Sequence, residues 1–490
     1  MNELEDINIV LKRSIRGILT LTSRTFFLQI ISLLATFLLT VFLKPEEYGA
    51  FFVVSAAVNF LIYFSDIGLA AALIQKQEEI TDDDLKTTFT IQQILVISLV
   101  IISLVLSGKI ALFYKLSTAG LWLFRALIIS FFLSSLKTIP SIILERKLHF
   151  GKLVIPQIIE NLFFYTTAVF LAWKGWGINS FTLAVLLRSI SGLLIIYILV
   201  PWMPTLGIVK NSARKLLSFG IPFQFNSLLA LIKDDLLTVI LGKMLSFSQL
   251  GFIGWAQKWA FFPLRFFMDS INKVTFPAYS RIQDKKEFLG KAIEKSIYFI
   301  SLTVFPTLTG LFLAAPYFVL FFPKYQKWQP ALISLTLFCV NAIFSSISTT
   351  LINVLNATGK IKKTLNLMIF WTAATWVLTL VLVKFVGYNG VALASALVAS
   401  TSWVTVWLTK KIVPFNFFVN IKDATVASII MALAFWLLSL YFVKNLTGLF
   451  FAVIIAIGIY ILVLRLLGKE KFLEEIKIIF SKKLARSRIF

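Results

Sequence analysis

The chain has 490 residues, 59% of them hydrophobic, 15% aromatic and only 14% charged, with a mean hydropathy of +0.89 and a formal net charge of +24. That composition excludes a soluble globular domain. A single cysteine (Cys339) and a single histidine (His149) exclude a disulfide framework and a Cys/His metal cluster, and no GxxxxGK(S/T) phosphate loop is present to hydrolyse a nucleotide.

The N-terminal stretch "MNELEDINIVLKRSIRG" carries acids early and lacks a small-residue cleavage site, so it reads as a cytoplasmic tail, residues 1–17. After it, apolar runs of about twenty residues recur, each long enough to cross roughly 30 Å of hydrocarbon. Gly, Pro and charge clusters divide them into fourteen expected segments. Segments 1 to 7 cover 18–41, 49–74, 87–107, 119–143, 153–172, 178–200 and 216–241. Segments 8 to 14 cover 249–272, 292–315, 330–355, 364–383, 388–409, 423–443 and 446–464. The expected fold is all-α and polytopic.

The 47 Lys and Arg are unevenly placed along that pattern. Both tails and the even-numbered connections hold 30, the odd-numbered connections 9, and the spans themselves 8. This bias puts both termini in the cytoplasm and assigns most of the basic charge to topology and anionic lipid headgroups, with no need for nucleic acid. On the outer side, Glu46 and Glu47 of "PEEYG" read as solvated turn residues and not as a carboxylate pair for a metal. "EEITDDD" (78–84) reads as a solvated helix start, His149 as a loop residue and Cys339 as a small buried hydrophobe.

Internal repetition organises the segments. "KGWGINSFTLAVLL" (174–187) matches "KFVGYNGVALASAL" (384–397) at an offset of 210, and "TVFLKPEEYGAF" (40–51) resembles "TVILGKMLSFSQLGF" (238–252) across a three-residue gap. Six segments separate the copies, an even number, so the copies keep one orientation. The expectation is an N-lobe (18–200, segments 1–6) and a C-lobe (216–409, segments 7–12) related by a pseudo-two-fold axis along the membrane normal. A cytoplasmic linker (201–215) joins them. Two further segments (410–464) and a basic cytoplasmic tail (465–490) follow.

Charges inside such segments cost about 3 kcal/mol each on the insertion scale, so they must face protein or water. Segment 1 carries Arg24, Thr25, Gln29, Ser32, Thr36 and Thr40 on or beside one stripe; segment 2 carries Ser55, Asn59, Tyr63 and Asp66. Segment 7 has Asn226 seven residues before Lys233, Asp234 and Asp235; segment 8 stacks Trp255, Lys258, Phe262, Arg265 and Asp269. The first two segments of each lobe are therefore expected to line a hydrated cavity. Its cations are Arg24, Arg125, Arg188, Lys233, Lys258 and Arg265, against the acids Asp66, Glu160, Asp234, Asp235 and Asp269. Lys137 and Lys295 sit near segment ends and read as snorkelling groups. Arg265 and Asp269, four apart, can pair, as can Lys233 and a neighbouring acid. The excess is positive, which suits an anionic passenger such as phosphate or pyrophosphate. Trp255 and Trp259 are candidates to stack on sugar rings.

The stretches "LKPEEYGAFFVVSAAVNFLIYFSDIGLAAALIQ" (43–75), "INKVTFPAYSRIQDKKEF" (271–288) and "LINVLNATGKIKKTLNL" (351–367) resemble the Wzx-like oligosaccharide flippases. These are polysaccharide exporters of the multidrug/oligosaccharidyl-lipid/polysaccharide exporter superfamily. The resemblance implies a non-enzymatic, secondary-type transporter of the inner membrane. It would move a polyprenyl-pyrophosphate-linked oligosaccharide to the outer leaflet by alternating access, for cell-surface polysaccharide synthesis. It further implies no cofactor beyond a coupling ion, H+ or Na+, and an acidic residue in the seventh segment, here Asp234 or Asp235. Cationic cavity residues would hold pyrophosphate and sugar, with Gln29, Asn59 and Asn226 lining the path. A monomer is expected, associating at most with polymerase machinery. A MATE-like exporter of small drugs or metabolites is the alternative, although the cationic excess disfavours it. A membrane glycosyltransferase or polymerase is disfavoured by the short outer connections.

Overall fold

The computed structural model describes residues 3–76 and 78–467; the side chains at 3–22, 223, 225–227, 269–274 and 277 lie outside the described set. All regular structure among the described residues is helical, and the helices gather into two compact units, residues 1–254 and 255–490. By length and apolarity, eleven helical stretches suffice to cross a membrane among the described residues. They coincide with expected segments 1, 3–6 and 9–14. The three remaining, segments 2, 7 and 8, are helical too, and they are among those with polar seams.

The first unit begins with α1 (Glu3–Phe42) and α2 (Pro45–Tyr63). Segment 2 was expected to run unbroken to 74. Instead α2 ends at Tyr63, and Ile67 (φ 42°) and Gly68 (φ 76°) turn left-handed before the short α3 (Leu69–Gln75). The backbone of Gly68 packs directly on that of Gly220, an approach no side chain would allow. Helix α4 (Asp82–Tyr114) starts at a capping box in which Thr81 and Asp84 satisfy each other's backbone N–H groups. Asp84 also takes the Lys76 ammonium at 2.6 Å, a bond that holds Lys76 above its ordinary pKa.

Segment 4 is likewise broken, into α5 (Thr118–Ser135) and α6 (Thr138–Arg146). Pro140 lacks the N–H that would bond the Leu136 carbonyl, which weakens the helix at this break. Helices α7 (Phe150–Trp173) and α8 (Asn179–Leu199) pack on each other, α7 also on α1 and α8 also on α5. Around them lies a core that includes Leu43, Val58, Val96, Phe164 and Phe181, with Phe51 stacked on Phe181 at 3.9 Å. The expected linker is tied down: the Gly207 and Val209 N–H groups bond Thr90 and Thr87 of α4 at 2.9 and 3.0 Å. Next come α9 (Lys210–Leu231), a π-helical turn (Ile232–Leu236) and α10 (Leu237–Met244).

Helix α11 (Phe247–Arg281) starts in the first unit and continues into the second. Its start repeats that of α2. A β-carbon on Gly49 would strike the Phe247 carbonyl, and one on Gly251 the Pro45 carbonyl. Pro45 and Phe247 are the first residues of their helices, so the contact is reciprocal at an offset of 202. The insertion separating these copies is thus four residues, one more than the sequences alone suggest.

The second unit contains α12 (Lys286–Phe321), a 3-10 turn (Pro323–Ala331), α13 (Leu332–Ala357) and α14 (Ile361–Val386). Segment 12 divides at Thr401–Ser402 into α15 (Asn389–Ser400) and α16 (Trp403–Lys410); α17 (Phe417–Tyr441) and α18 (Leu446–Leu467) follow. Helix α17 packs between α12 and α18.

Candidate functional site

The polar seam of α2 faces the seventh segment. Tyr63 donates its hydroxyl to the Gln224 carbonyl, and the Gln224 side-chain amide returns a bond to the Tyr63 carbonyl at 2.8 Å. One turn earlier on α2, Asn59 lies close enough to the Asp235 carboxylate for the two side chains to interact. Asn59 and Tyr63 are four residues apart, which is why one face makes both contacts.

The π turn decides what Lys233, Asp234 and Asp235 do. A π turn holds one residue more than an α turn and re-aims the side chains that follow; such turns are frequent at functional sites. Asp235 turns to α2, whereas the Lys233 ammonium stands 3.9 Å from Asp234, the two side chains being 41% and 70% exposed. A contact that long between open side chains contributes little. Thr238 donates to the Asp234 carbonyl at 2.8 Å, a side-chain bond at the edge of the turn. Asp66, expected inside a continuous span, lies in the break between α2 and α3, where its carboxylate accepts the Ala70 N–H at 3.1 Å.

Arg24, Arg125 and Arg188 of the first unit each have their own partners. Arg24 on α1 donates to the Gln157 amide oxygen of α7 and lies 3.5 Å from the Thr25 hydroxyl; its Nε is buried and without a partner among the described residues. Ser32 on the same stripe receives the Tyr165 hydroxyl at 2.8 Å, so the α1 stripe looks onto α7. Gln29, half-buried, is one turn before Ser32. Arg125 of α5 bonds Ser107 of α4 at 3.1 Å and covers the Trp122 ring at 5.2 Å. Arg188 of α8 lies over Phe164 and 4.0 Å from Glu160, which is itself paired with Lys137 at 2.5 Å. Lys137, expected to snorkel, is thus a half-buried partner of Glu160. Gly192 makes room for this carboxylate, since a β-carbon there would collide with it.

In the second unit, Lys258 and Arg265 stand two turns apart on α11, near enough for their charges to act on each other. Trp255 is buried, stacked on Trp328 at 5.5 Å with Tyr325 across its edge, and so serves the core and not a sugar face. The Asn226 and Asp269 side chains lie outside the described residues. Gln157 and Gln224 carry site contacts that were not anticipated. Their only sequence signal is a glutamine directly after a proline, or two residues after one, in an apolar run.

A model of the family described as "Polysaccharide biosynthesis protein" matches residues 38–333, more than half of the chain. The chain belongs to this family. Among its relatives is an uncharacterized membrane protein in the cps region of Klebsiella pneumoniae, 25% identical over 339 residues, 68% of this chain and 69% of the relative. Another is the succinoglycan biosynthesis transport protein ExoT of Rhizobium meliloti (strain 1021), 22% identical over 372 residues, 75% of this chain and 71% of that one. Among solved structures, the lipid II flippase MurJ in an inward closed conformation superposes with a TM-score of 0.74 at 17% identity, covering 95% of this chain and 99% of that one. The fold is therefore that of this polytopic, all-helical class, as the resemblance implied.

Proposed function

We propose that this protein is a flippase that carries a polyprenyl-pyrophosphate-linked oligosaccharide from the cytoplasmic to the outer leaflet of the inner membrane, by alternating access. Family membership over 38–333, joined to a fold shared end to end with MurJ, is the observation that carries this reading. The residues add chemistry. Arg24, Lys233, Lys258 and Arg265 supply cations in otherwise apolar helices, where low dielectric strengthens contact with a pyrophosphate. The Asn59–Asp235 contact at the π turn is the place where a proton or sodium ion would couple to movement: protonating Asp235 removes the charge that holds Asn59. Both termini are cytoplasmic in this reading, from the charge bias of the connections, and the protein works as a monomer that meets polymerase machinery at most transiently.

Leaflet accessibility of the lipid-linked oligosaccharide tests it, using an impermeant sugar-binding probe on cells with and without the protein. Depletion is expected to trap the lipid on the cytoplasmic side, and an Asp234→Ala/Asp235→Ala variant at native expression is expected to do the same. An unchanged leaflet distribution on depletion overturns the flippase and favours the small-solute exporter.

A further inference from the structure

Between the start of α2, the α4–α5 connection and the α7–α8 turn, the first unit contains a cavity of about 480 Å³. This size falls within the range of roughly 300–1,000 Å³ typical of small-molecule sites. All three connections are odd-numbered, so in the topology proposed above the cavity opens on the outer face, away from the α2–π-turn seam.

Its walls are held in place. The α7–α8 turn passes through Gly175 (φ 83°) and Gly177 (φ 55°), a path that side chains resist. Gly177 lets the Glu47 carboxylate lie against the turn, since a β-carbon would collide with Oε1. Glu47 Oε2 meanwhile accepts the Lys44 N–H at 2.8 Å. On this turn Trp176 borders the cavity with 51% of its surface exposed.

The remaining groups are unspent. Among the described residues, the Glu46 carboxylate, the Lys115 ammonium and the Asn179 amide have no hydrogen-bond or ion-pair partner, and all three line the cavity. Donors and acceptors are both on offer, and the charges of Lys44 and Lys115 cancel those of Glu46 and Glu47. A phosphate would select a positive lining. A sugar ring, whose hydroxyls both donate and accept and whose C–H face is apolar, matches a neutral lining of mixed polarity beside an indole face.

The second copy of the repeat is a control within the molecule. At the offset of 210, Val386 replaces Trp176, the counterpart of Asn179 is Asn389, which accepts the Ser334 hydroxyl at 2.7 Å, and Tyr388 donates to the Pro330 carbonyl at 2.8 Å. The side chains of the same turn are there bonded to Ser334 and Pro330. In the first unit it is left open and given a tryptophan.

We propose that this cavity is a carbohydrate-binding pocket, which receives a sugar of the translocated oligosaccharide on the outer face through Trp176, Glu46, Lys115 and Asn179. The inference deepens the flippase reading and rests on its topology. The test is isothermal titration of the full chain in lipid nanodiscs with oligosaccharide released by mild acid from the cells' own lipid-linked pool. Wild type is expected to bind saturably, Trp176→Ala about tenfold more weakly, and Trp176→Phe within about threefold of wild type. Inorganic pyrophosphate is expected not to compete. Equal binding by wild type and Trp176→Ala, competition by pyrophosphate, or absence of binding in a protein that still changes lipid leaflet distribution overturns the pocket. Trp176-dependent binding in a protein that leaves leaflet distribution unchanged upholds the pocket and rejects the flippase.

Discussion

Two charge clusters in the first unit make opposite use of the same residue types. Between α7, α8 and the α5–α6 break, Glu160 is enclosed by Lys137 and Arg188, with side-chain exposures of 12% and 14% for the closer pair and a glycine hollowed out beside it. At the π turn, Lys233 and Asp234 meet only at 3.9 Å and stay open, and Asp235 lies beside a neutral amide. The first arrangement has satisfied its charges and resists change. The second keeps charge available, at a point where the helix itself departs from regular geometry. Charge count alone does not separate a lock from a working group; partner number and exposure do.

The comparison breaks most readily at Glu160. Glu160→Ala leaves two cations without their carboxylate and is expected to lower stability by about 3–5 kcal/mol, seen as a large drop in melting temperature in detergent. An unchanged melting temperature would show the cluster not to be a lock. Asp235→Asn should do the reverse, keeping the melting temperature while reducing translocation about tenfold, equivalent to about 1.4 kcal/mol. Loss of stability without loss of transport would move Asp235 into the structural class. Arg125→Ala removes one hydrogen bond and one cation–π contact, so about 1 kcal/mol of stability and no more than a twofold change in transport are expected. A larger transport defect in that variant would extend the working set to α5.

The long apolar runs were legible in sequence because hydrocarbon thickness dictates their length, and helical spacing correctly marked Asn59 and Tyr63 as one face. The break after Tyr63 was not legible. It depends on Gly68 meeting Gly220, some 150 residues away, and local propensity contains no record of that contact. The π turn escaped for a related reason: "IKDDL" is compatible with an α-helix, and nothing along the chain marks the wider turn that packs against α2. The division of charges by role was hidden as well. Arg125, Arg188 and Arg24 look alike along the chain, and only tertiary neighbours give Arg188 a carboxylate, Arg125 a serine hydroxyl and Arg24 a glutamine.

The reciprocal contact of Gly49 and Gly251 has a mechanical meaning. Two helix starts that touch backbone to backbone, with no side chain interposed, would act as a fulcrum for any tilt between them, since a tilt about that point displaces it least. Asn59 is ten residues further along α2, about 15 Å away at 1.5 Å per residue. A tilt of about 20° would swing it by about 5 Å, enough to carry it away from Asp235. The smallest residues in the two helices therefore set the lever arm for one of the most polar contacts on them.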